Sequence, residues 1–404
     1  AFEKKVLQAL EGSFLRVVFF GGEEEGKRWP TEFMSCDSKV IQVELDPVRD
    51  VVMLPYSSGT TGFPKGVMLT HLNLIANICQ LNMPGLEPVT EKDRVMAVLP
   101  FFHIYGMVVV LLRGLQCGAT LVTLPRFDLD QFLNVMQDFS ITRTYLVPPI
   151  VLAMAKQPKV EGFDLSHLKS VMCGAAPLGE EVAQQFTKRL GCVLKQGYGL
   201  TEASPVTHLV PESAKGVKLE SIGHPLPNTE CRVVDTESGV DLGVHESGEI
   251  WIRGPQVMQG YWRSPEATSS VLDDEGWLRT GDVGYADGKG CFYIVDRVKE
   301  LIKYKGFQVA PAELEAILLS HTAVSDAAVI GSPDEEAGEV PKAFIVATES
   351  VSAEEIMKFV ADQVAPHKKI RRLQFIEQIP KSPSGKILRR LLLEKEREHS
   401  KKES

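Results

Sequence analysis

The sequence predicts an α/β plus α+β protein: a layered α/β portion, a small β-barrel-like portion, and a separate α+β unit at the C-terminal end. Three observations predict it. From about residue 94 to 195, short apolar runs alternate with amphipathic stretches, as strands and helices do around a largely parallel sheet. From about 229 to 295, short β runs are separated by Gly, Asp and Asn, which suits an antiparallel sheet or small barrel. After Asp296, helix and strand patterns mix again. At 404 residues the chain has ample length for two or three domains.

Taken in order, Phe14–Phe20 reads as a short buried strand before the charged loop Gly21–Lys27. The glycine-rich stretch Tyr56–Gly66 (YSSGTTGFPKG) follows the apolar run Val51–Leu54. Thr70 is placed to cap a helix with Leu72, Ile75, Ala76 and Cys79 on its apolar face. Val95–Leu99, Ala119–Leu124, Thr144–Val147 and Leu168–Cys173 read as strands. Between them, Asp128 can cap a helix carrying Leu129, Phe132, Leu133 and Met136, and Pro177–Leu190 reads as another helix. Glu230–Val234, Glu249–Arg253 and Cys291–Val295 supply the later β runs. Pro311 can open a helix with Leu314, Ile317 and Leu318 inward, followed by strands at Ala327–Ile330 and Ala343–Val346. Ser352 with Glu355 forms a capping box for a helix running towards Val364. The mixed charges of Leu388–Ser404 suit a frayed, solvated helix. This divides the chain into a large domain, 1–296, with a β-rich part at 229–295, and a C-terminal domain, 297–404.

The formal net charge of −9 excludes the broad basic face of a general nucleic-acid binder. The seven cysteines (Cys36, Cys79, Cys117, Cys173, Cys192, Cys231 and Cys291) are dispersed without a CxxC pair, as free thiols are in a reducing compartment. The longest apolar run, Val98–Leu112, is broken by Pro100 and His103, so no stable membrane span is expected. The final Lys-Glu-Ser does not match the peroxisomal tripeptide, and no signal peptide opens the chain; a cytoplasmic protein is expected. No stretch marks an obligate protein partner.

Five constellations carry candidate chemistry. In YSSGTTGFPKG, three glycines let the backbone approach a ligand, four hydroxyls can donate to anionic oxygens, and Lys65 adds a mobile cation. It is not the common NTPase loop, because Pro64 stands where that motif needs glycine. In Gln196–Glu202 (QGYGLTE), Tyr198 can cover a flat base, Thr201 can bond a phosphate, and Glu202 can hold a hard cation through oxygen. In Gly276–Asp282, Asp282 can accept both hydroxyls of a ribose. Asp296–Gly306 holds four cationic side chains within nine residues. Pro380–Lys386 puts a lysine beyond a glycine turn. Singly, each stretch is also an ordinary turn or charged loop.

Together, in this order, these stretches resemble the adenylate-forming (AMP-binding) superfamily, most nearly its 4-coumarate–CoA ligase, acyl-CoA synthetase and luciferase-like branch. The likeness rests on YSSGTTGFPKG (56–66), LPFFHIYG (99–106), GAAPLG (174–179), QGYGLTEAS (196–204), GEIWIRGPQVMQGYW (248–262), WLRTGDVGY (277–285), DRVKELIKYKGFQVAPAELE (296–315) and PKSPSGK (380–386). Because the phosphate loop already begins at Tyr56, part of the family's first subdomain is expected to be missing, leaving core surface exposed.

The resemblance implies an ATP-dependent acyl- or aryl-CoA ligase acting on a small carboxylic acid. The carboxylate attacks ATP to give an acyl-adenylate and pyrophosphate, and CoA then displaces AMP. By likeness, Ser57, Ser58, Gly59, Thr60, Thr61 and Lys65 hold the β- and γ-phosphates, while Thr60 and Glu202 place Mg2+. Gly174, Ala175, Ala176, Gln196, Gly197 and Tyr198 line the adenine pocket. Thr201 meets the α-phosphate, and Asp282 and Arg297 meet the ribose. His103 gates the acyl site, with Tyr105 lining it. Lys386 bridges carboxylate and α-phosphate. The C-terminal domain is expected to turn about a hinge near Lys299, removing Lys386 and bringing in Lys303 for thioester formation. Lys305, Gly306 and Arg126 then contact CoA; the family often has lysine where Arg126 stands. A luciferase-like monooxygenase, a carrier-loading adenylation domain and a non-catalytic nucleotide-binding protein are the alternatives.

Overall fold

The computed structural model describes residues 19–20, 28–29, 43–57, 64–86, 89–212, 214, 216–382 and 385–403, with side chains described within 43–396. Two compact units are distinguished, Ala1–Asp46 and Pro47–Ser404. In the first, Phe19–Phe20 and Arg28–Trp29 pair in parallel; the rest of the strand expected at Phe14–Phe20 lies outside the described residues.

The α/β portion is a seven-stranded sheet whose spatial order is His224–Pro225, Val206–Leu209, Val193–Gly199, Ser170–Cys173, Arg143–Leu146, Arg94–Ala97 and Thr120–Thr123. The last five are mutually parallel, and the first two join antiparallel at one edge. Ser170–Cys173 and Arg143–Leu146 are buried along their whole length, as parallel strands covered on both faces must be. Asp128 accepts from the Gln131 N–H at 3.0 Å to open helix Leu129–Asp138. That helix buries Phe132, Leu133 and Met136, each such side chain contributing roughly 1.5–3 kcal/mol. The helix expected from Pro177 begins three residues later, at Glu180.

Helix His71–Leu81 departs from expectation. Thr70 and Asn73 form its capping box, but Leu72, Ile75 and Cys79 are exposed. The buried face instead carries Asn73, Leu74, Asn77, Ile78, Gln80 and Leu81. Its amides are satisfied by backbone carbonyls: Asn73 Nδ2 bonds Pro255 and Val257, Asn77 Nδ2 bonds Val206 at 2.7 Å, and Gln80 Nε2 bonds Pro227 at 2.7 Å. Fully bonded amides can be buried where apolar periodicity predicts a solvent face. The helix thereby laces the β-rich portion to the large sheet.

The β-rich portion consists of two antiparallel sheets over one core. One is Glu230–Val234, Gly248–Arg253, Leu278–Ala286 and Phe292–Arg297; the other joins Val51–Met53, Lys65–Thr70 and Gly260–Tyr261, with Tyr56–Ser57 also on Lys65–Thr70. Val67, Leu69, Tyr261, Ile250, Ile252, Leu278 and Phe292 share the space between.

Past Arg297 the pairing changes. Ile302–Tyr304 and Phe307–Val309 form a hairpin turning at Lys305 and Gly306, both at positive φ, and this joins Gly338–Ala347, Val324–Asp334 and Arg372–Phe375. Helices Pro311–Ser320 and Ala353–Ala361 cover this sheet; the second is capped by Ser352 and ends short of the expected Val364. The final helix, Arg389–Glu403, is not simply solvated: Leu392 is buried against Ala328, Ile330, Phe344 and Ile379. Lys156 Nζ reaches from helix Pro148–Lys156 to the carbonyl of Leu319 at 2.6 Å, ending helix Pro311–Ser320 with a cation. Among the described residues, no helix is long and apolar enough to cross a membrane.

Candidate active site

The site is built where three chain segments meet above the parallel strands. Tyr198 lies near the end of Val193–Gly199, and Asp282 and Arg297 are cross-strand partners on Leu278–Ala286 and Phe292–Arg297. The Tyr198 hydroxyl donates to Asp282 Oδ2 at 2.6 Å, and Arg297 Nε lies 3.3 Å from Oδ1. Burial pushes the Asp282 carboxyl up, against the pull of Arg297 and the tyrosine hydroxyl. Burial, with the Asp282 charge, also holds Tyr198 protonated. The Tyr198 ring packs against His208, which burial drives down to about 3 and therefore keeps neutral.

Lys386 comes to this cluster from the far end of the chain. Its loop is tied by Ser382 N–H to Lys386 O at 2.8 Å and Leu388 N–H to Pro380 O at 2.8 Å, and anchored by Lys381 to Asp326 at 2.6 Å. Gly385, at φ +78°, lies so close to Val147 and Pro149 that a Cβ would stand 3.2 Å from Val147 Cγ2. The half-buried lysine is within electrostatic reach of Asp282, Arg297, Glu300, Arg389 and His103. Burial, then Arg297 and Arg389, lower its pKa to about 8, while Glu300 and Asp282 oppose. His103 is lowered by burial and by Lys386, so it is neutral; its Nδ1 accepts the Tyr105 N–H at 3.3 Å, leaving the proton on Nε2.

A second constellation surrounds Glu202, in the short turn Thr201–Ala203. Glu202 Oε1 accepts the Tyr261 hydroxyl at 2.8 Å, and Lys65 Nζ stands 5.0 Å from the centroid of the same ring. Ser57 ends the strand facing Lys65. Ser58, Gly59, Thr60 and Thr61 lie outside the described residues.

Other expected residues have different surroundings. The Gln196 side chain is engaged with backbone, accepting from Leu178 N–H at 3.1 Å and donating to Leu219 O at 2.6 Å; it braces the GAAPLG loop. Ala175, at φ +73°, holds that loop's sharp turn beside Ala176, while Gly174 and Gly197 approach each other closely. Tyr105 is buried, its hydroxyl bonded to Met172 O at 3.0 Å and its ring edge-on to Tyr145. Arg126 and Lys299 are exposed, and Lys303, Lys305 and Gly306 sit on an exposed hairpin, where the Lys303 N–H bonds Glu339. The structure thus gathers Tyr198, Asp282, Arg297, His103 and Lys386, and keeps the Lys303 hairpin solvent-facing.

Sequence reasoning missed Tyr261, although it falls inside the quoted stretch 248–262, because apolar spacing marks it as core. It also missed Arg389, Glu300 and Glu315. Replacing Tyr261 with Phe removes the bond to Glu202 but keeps the ring beside Lys65. Loss of one hydrogen bond to a carboxylate costs roughly 1.5–3 kcal/mol, so the denaturation midpoint of the variant should fall. Urea denaturation of parent and variant checks this; an unchanged midpoint would refute it.

The sequence pattern of the family described as AMP-binding enzyme matches residues 5–262, and that of the AMP-binding enzyme C-terminal domain matches 313–386. The chain belongs to the AMP-binding enzyme family. Among curated AMP-binding enzymes, 4-coumarate–CoA ligase 2 of Nicotiana tabacum is 49% identical over 358 residues, covering 86% of this chain and 66% of that protein. For 4-coumarate:CoA ligase 1 of Petunia hybrida the identity is 46% over 398 residues, covering 96% and 73%. Among solved structures, ATP-bound MatB from Rhodopseudomonas palustris matches at TM-score 0.81 and 29% identity, covering 88% of this chain and 70% of that one. The o-succinylbenzoate CoA synthetase of Bacillus subtilis, in complex with its acyl-adenylate intermediate, matches at 0.78 and 30%, covering 90% and 73%. The chain spans a little under two thirds of the length of several of the 4-coumarate–CoA ligases it matches. Its fold is that of the adenylate-forming enzymes.

Proposed function

We propose that the protein is an ATP-dependent acyl- or aryl-CoA ligase, taking an aryl acid of the 4-coumarate kind in preference to a fatty acid. The observation that carries the reading is the convergence of Lys386 with Asp282 and Arg297, from segments about a hundred residues apart, in one partly desolvated site. The similarity to 4-coumarate–CoA ligases supports the acyl class.

The chemistry needs cations. A carboxylate approaching ATP meets like charge, and a unit pair at ~4 Å is worth ~4 kcal/mol at an effective dielectric near 20, against ~1 in water. Asp282 takes the ribose hydroxyls, with Arg297 and Tyr198 fixing its two oxygens. Lys386 then places its ammonium between the attacking carboxylate and the α-phosphate. The Tyr198 and GAAPLG segments flank the base, and Thr201 faces the α-phosphate. His103, neutral with its proton on Nε2, gates the acyl side.

Glu202 fits a Mg2+ role by its donor chemistry: it is a buried oxygen donor oriented by Tyr261. A Mg2+ ion needs only one or two protein oxygen ligands where substrate phosphates supply others. Glu202, with Thr60, would hold it, and the ion would neutralise the polyphosphate charge. For thioester formation, the C-terminal unit, 297–404, turns near Lys299 and exchanges Lys386 for Lys303, Lys305 and Gly306, with Arg126 meeting CoA.

The test is carboxylate-dependent exchange of labelled pyrophosphate into ATP across aryl and fatty acids, then thioester detection with CoA. Exchange with aryl acids supports the reading, and none with any acid from a folded, ATP-binding protein sinks it. The same assay carries a pH prediction. Lys386 is charged below its pKa of about 8 and neutral above it, so kcat/KM for adenylation falls about tenfold per pH unit beyond that point. Bound ATP favours the charged lysine, so the limb in kcat lies at higher pH. A flat profile to pH 10 would contradict it.

A further inference from the structure

Three residues beyond Lys386, at the start of helix Arg389–Glu403, Arg389 occupies a buried charge cluster that the proposed reaction does not use. One guanidinium nitrogen lies 2.7 Å from Glu300 Oε2, and the other 2.7 Å from both oxygens of Glu315. Nε donates to the Val329 carbonyl at 3.2 Å. Glu315 also accepts the Val329 N–H at 2.8 Å, so its place is fixed by strand Val324–Asp334 and helix Pro311–Ser320. Glu300 lies in the connection between Arg297 and Ile302. Asp296, which accepts the Ala312 N–H at 2.8 Å, lies behind the same group.

Lys386 feels Glu300 and Asp282 as attraction, and Arg297 and Arg389 as repulsion, and its own charge lowers His103, in the turn after strand Arg94–Ala97. Among the described residues, no carboxylate forms an ion pair with its ammonium, although Glu300 is near. Glu300 is instead held by Arg389. A long, flexible ammonium beside an uncommitted carboxylate would pair with it, and would then be unavailable to a substrate.

We propose that Arg389 is a positioning residue that holds Glu300 and Glu315, and so leaves the Lys386 ammonium uncommitted within reach of Asp282. The forked guanidinium can hold two carboxylates at once, which a lysine cannot. Arg389 touches neither substrate nor reacting atoms. The role in turnover rests on the ligase reading; the lysine's state does not.

The test therefore has an arm that needs no activity. Competitive labelling of Lys386 with an amine-reactive reagent, read by mass spectrometry over pH, gives its half-titration point. Arg389→Ala should raise that point by about one pH unit, since a repelling cation is lost and a carboxylate is gained as partner. Arg389→Ala with Glu300→Gln should return it towards the parent value. In pyrophosphate exchange, Arg389→Ala should lose ten- to a hundredfold in rate with little change in the KM for ATP, and the double variant should recover most of it. If Arg389→Ala does not fold, Arg389→Lys decides the matter, with a several-fold loss that Glu300→Gln again repairs. An unshifted Lys386 titration, or a loss that Glu300→Gln fails to repair, overturns the proposal. Absence of exchange in the parent protein would count against the ligase reading alone, because the labelling result stands without it.

Discussion

Replacing Lys386 with alanine should lower carboxylate-dependent pyrophosphate exchange about 10²–10³-fold, the usual cost of removing one preorganised group from a developing charge. ATP should still bind, because Asp282, Arg297 and Tyr198, the proposed ribose site, are untouched and hold one another. With chemically prepared acyl-adenylate and CoA, the same variant should form thioester at near the parent rate, since the proposed role of Lys386 lies in the first half-reaction only. The Lys303 hairpin is exposed and unaffected. Measuring both half-reactions on one preparation decides it. Equal loss in both would mean that Lys386 supports the fold, and no loss in either would remove it from the chemistry.

The second large effect is expected at Asp282. Alanine there strips the Tyr198 hydroxyl of its acceptor and Arg297 of its carboxylate, in a site where the carboxyl is buried. Hydrogen bonds to a charged group are worth ~1.5–3 kcal/mol, so the ATP KM should rise roughly 10- to 100-fold. Asparagine keeps an acceptor for Tyr198 while losing the ionic partner of Arg297, and should fall between the two. Steady-state exchange at graded ATP checks the order. Asparagine and alanine behaving alike would show that only the charge matters, and an unchanged KM in both would move the ribose site elsewhere.

Much of the site was legible because its residues sit in turns whose chemistry is local. Gly, Ser, Thr and Lys in YSSGTTGFPKG, the aromatic between two glycines at Tyr198, and the turn before Asp282 are each compatible with a polar ligand, and only their order along the chain turned them into a site. The strand expected at Leu168–Cys173 was legible from its short apolar run before a glycine turn, and the structure has it at Ser170–Cys173. Helix His71–Leu81 was misjudged on its inward face, because Asn73, Asn77 and Gln80 are satisfied by carbonyls of residues 206 to 257. No local window contains those acceptors. The last helix was misjudged likewise: a charge-rich segment buries Leu392, and Glu396 meets Lys342 and Ser332.

The sequence by itself determined the alternation of strands and helices, the change of architecture near 229 and again near 297, and the residue types able to meet phosphate, ribose and cation. These follow from periodicity and turn chemistry, which act over a few residues. Only the tertiary structure decided which of those residues act together. Tyr198, Asp282, Arg297 and Lys386 are gathered by the pairing of strands and by a loop packed on Val147 and Pro149. The same folding gave Tyr261 to Glu202 and put Arg389 between two carboxylates. Long-range electrostatics depends on distance in space, and a linear sequence does not contain that distance.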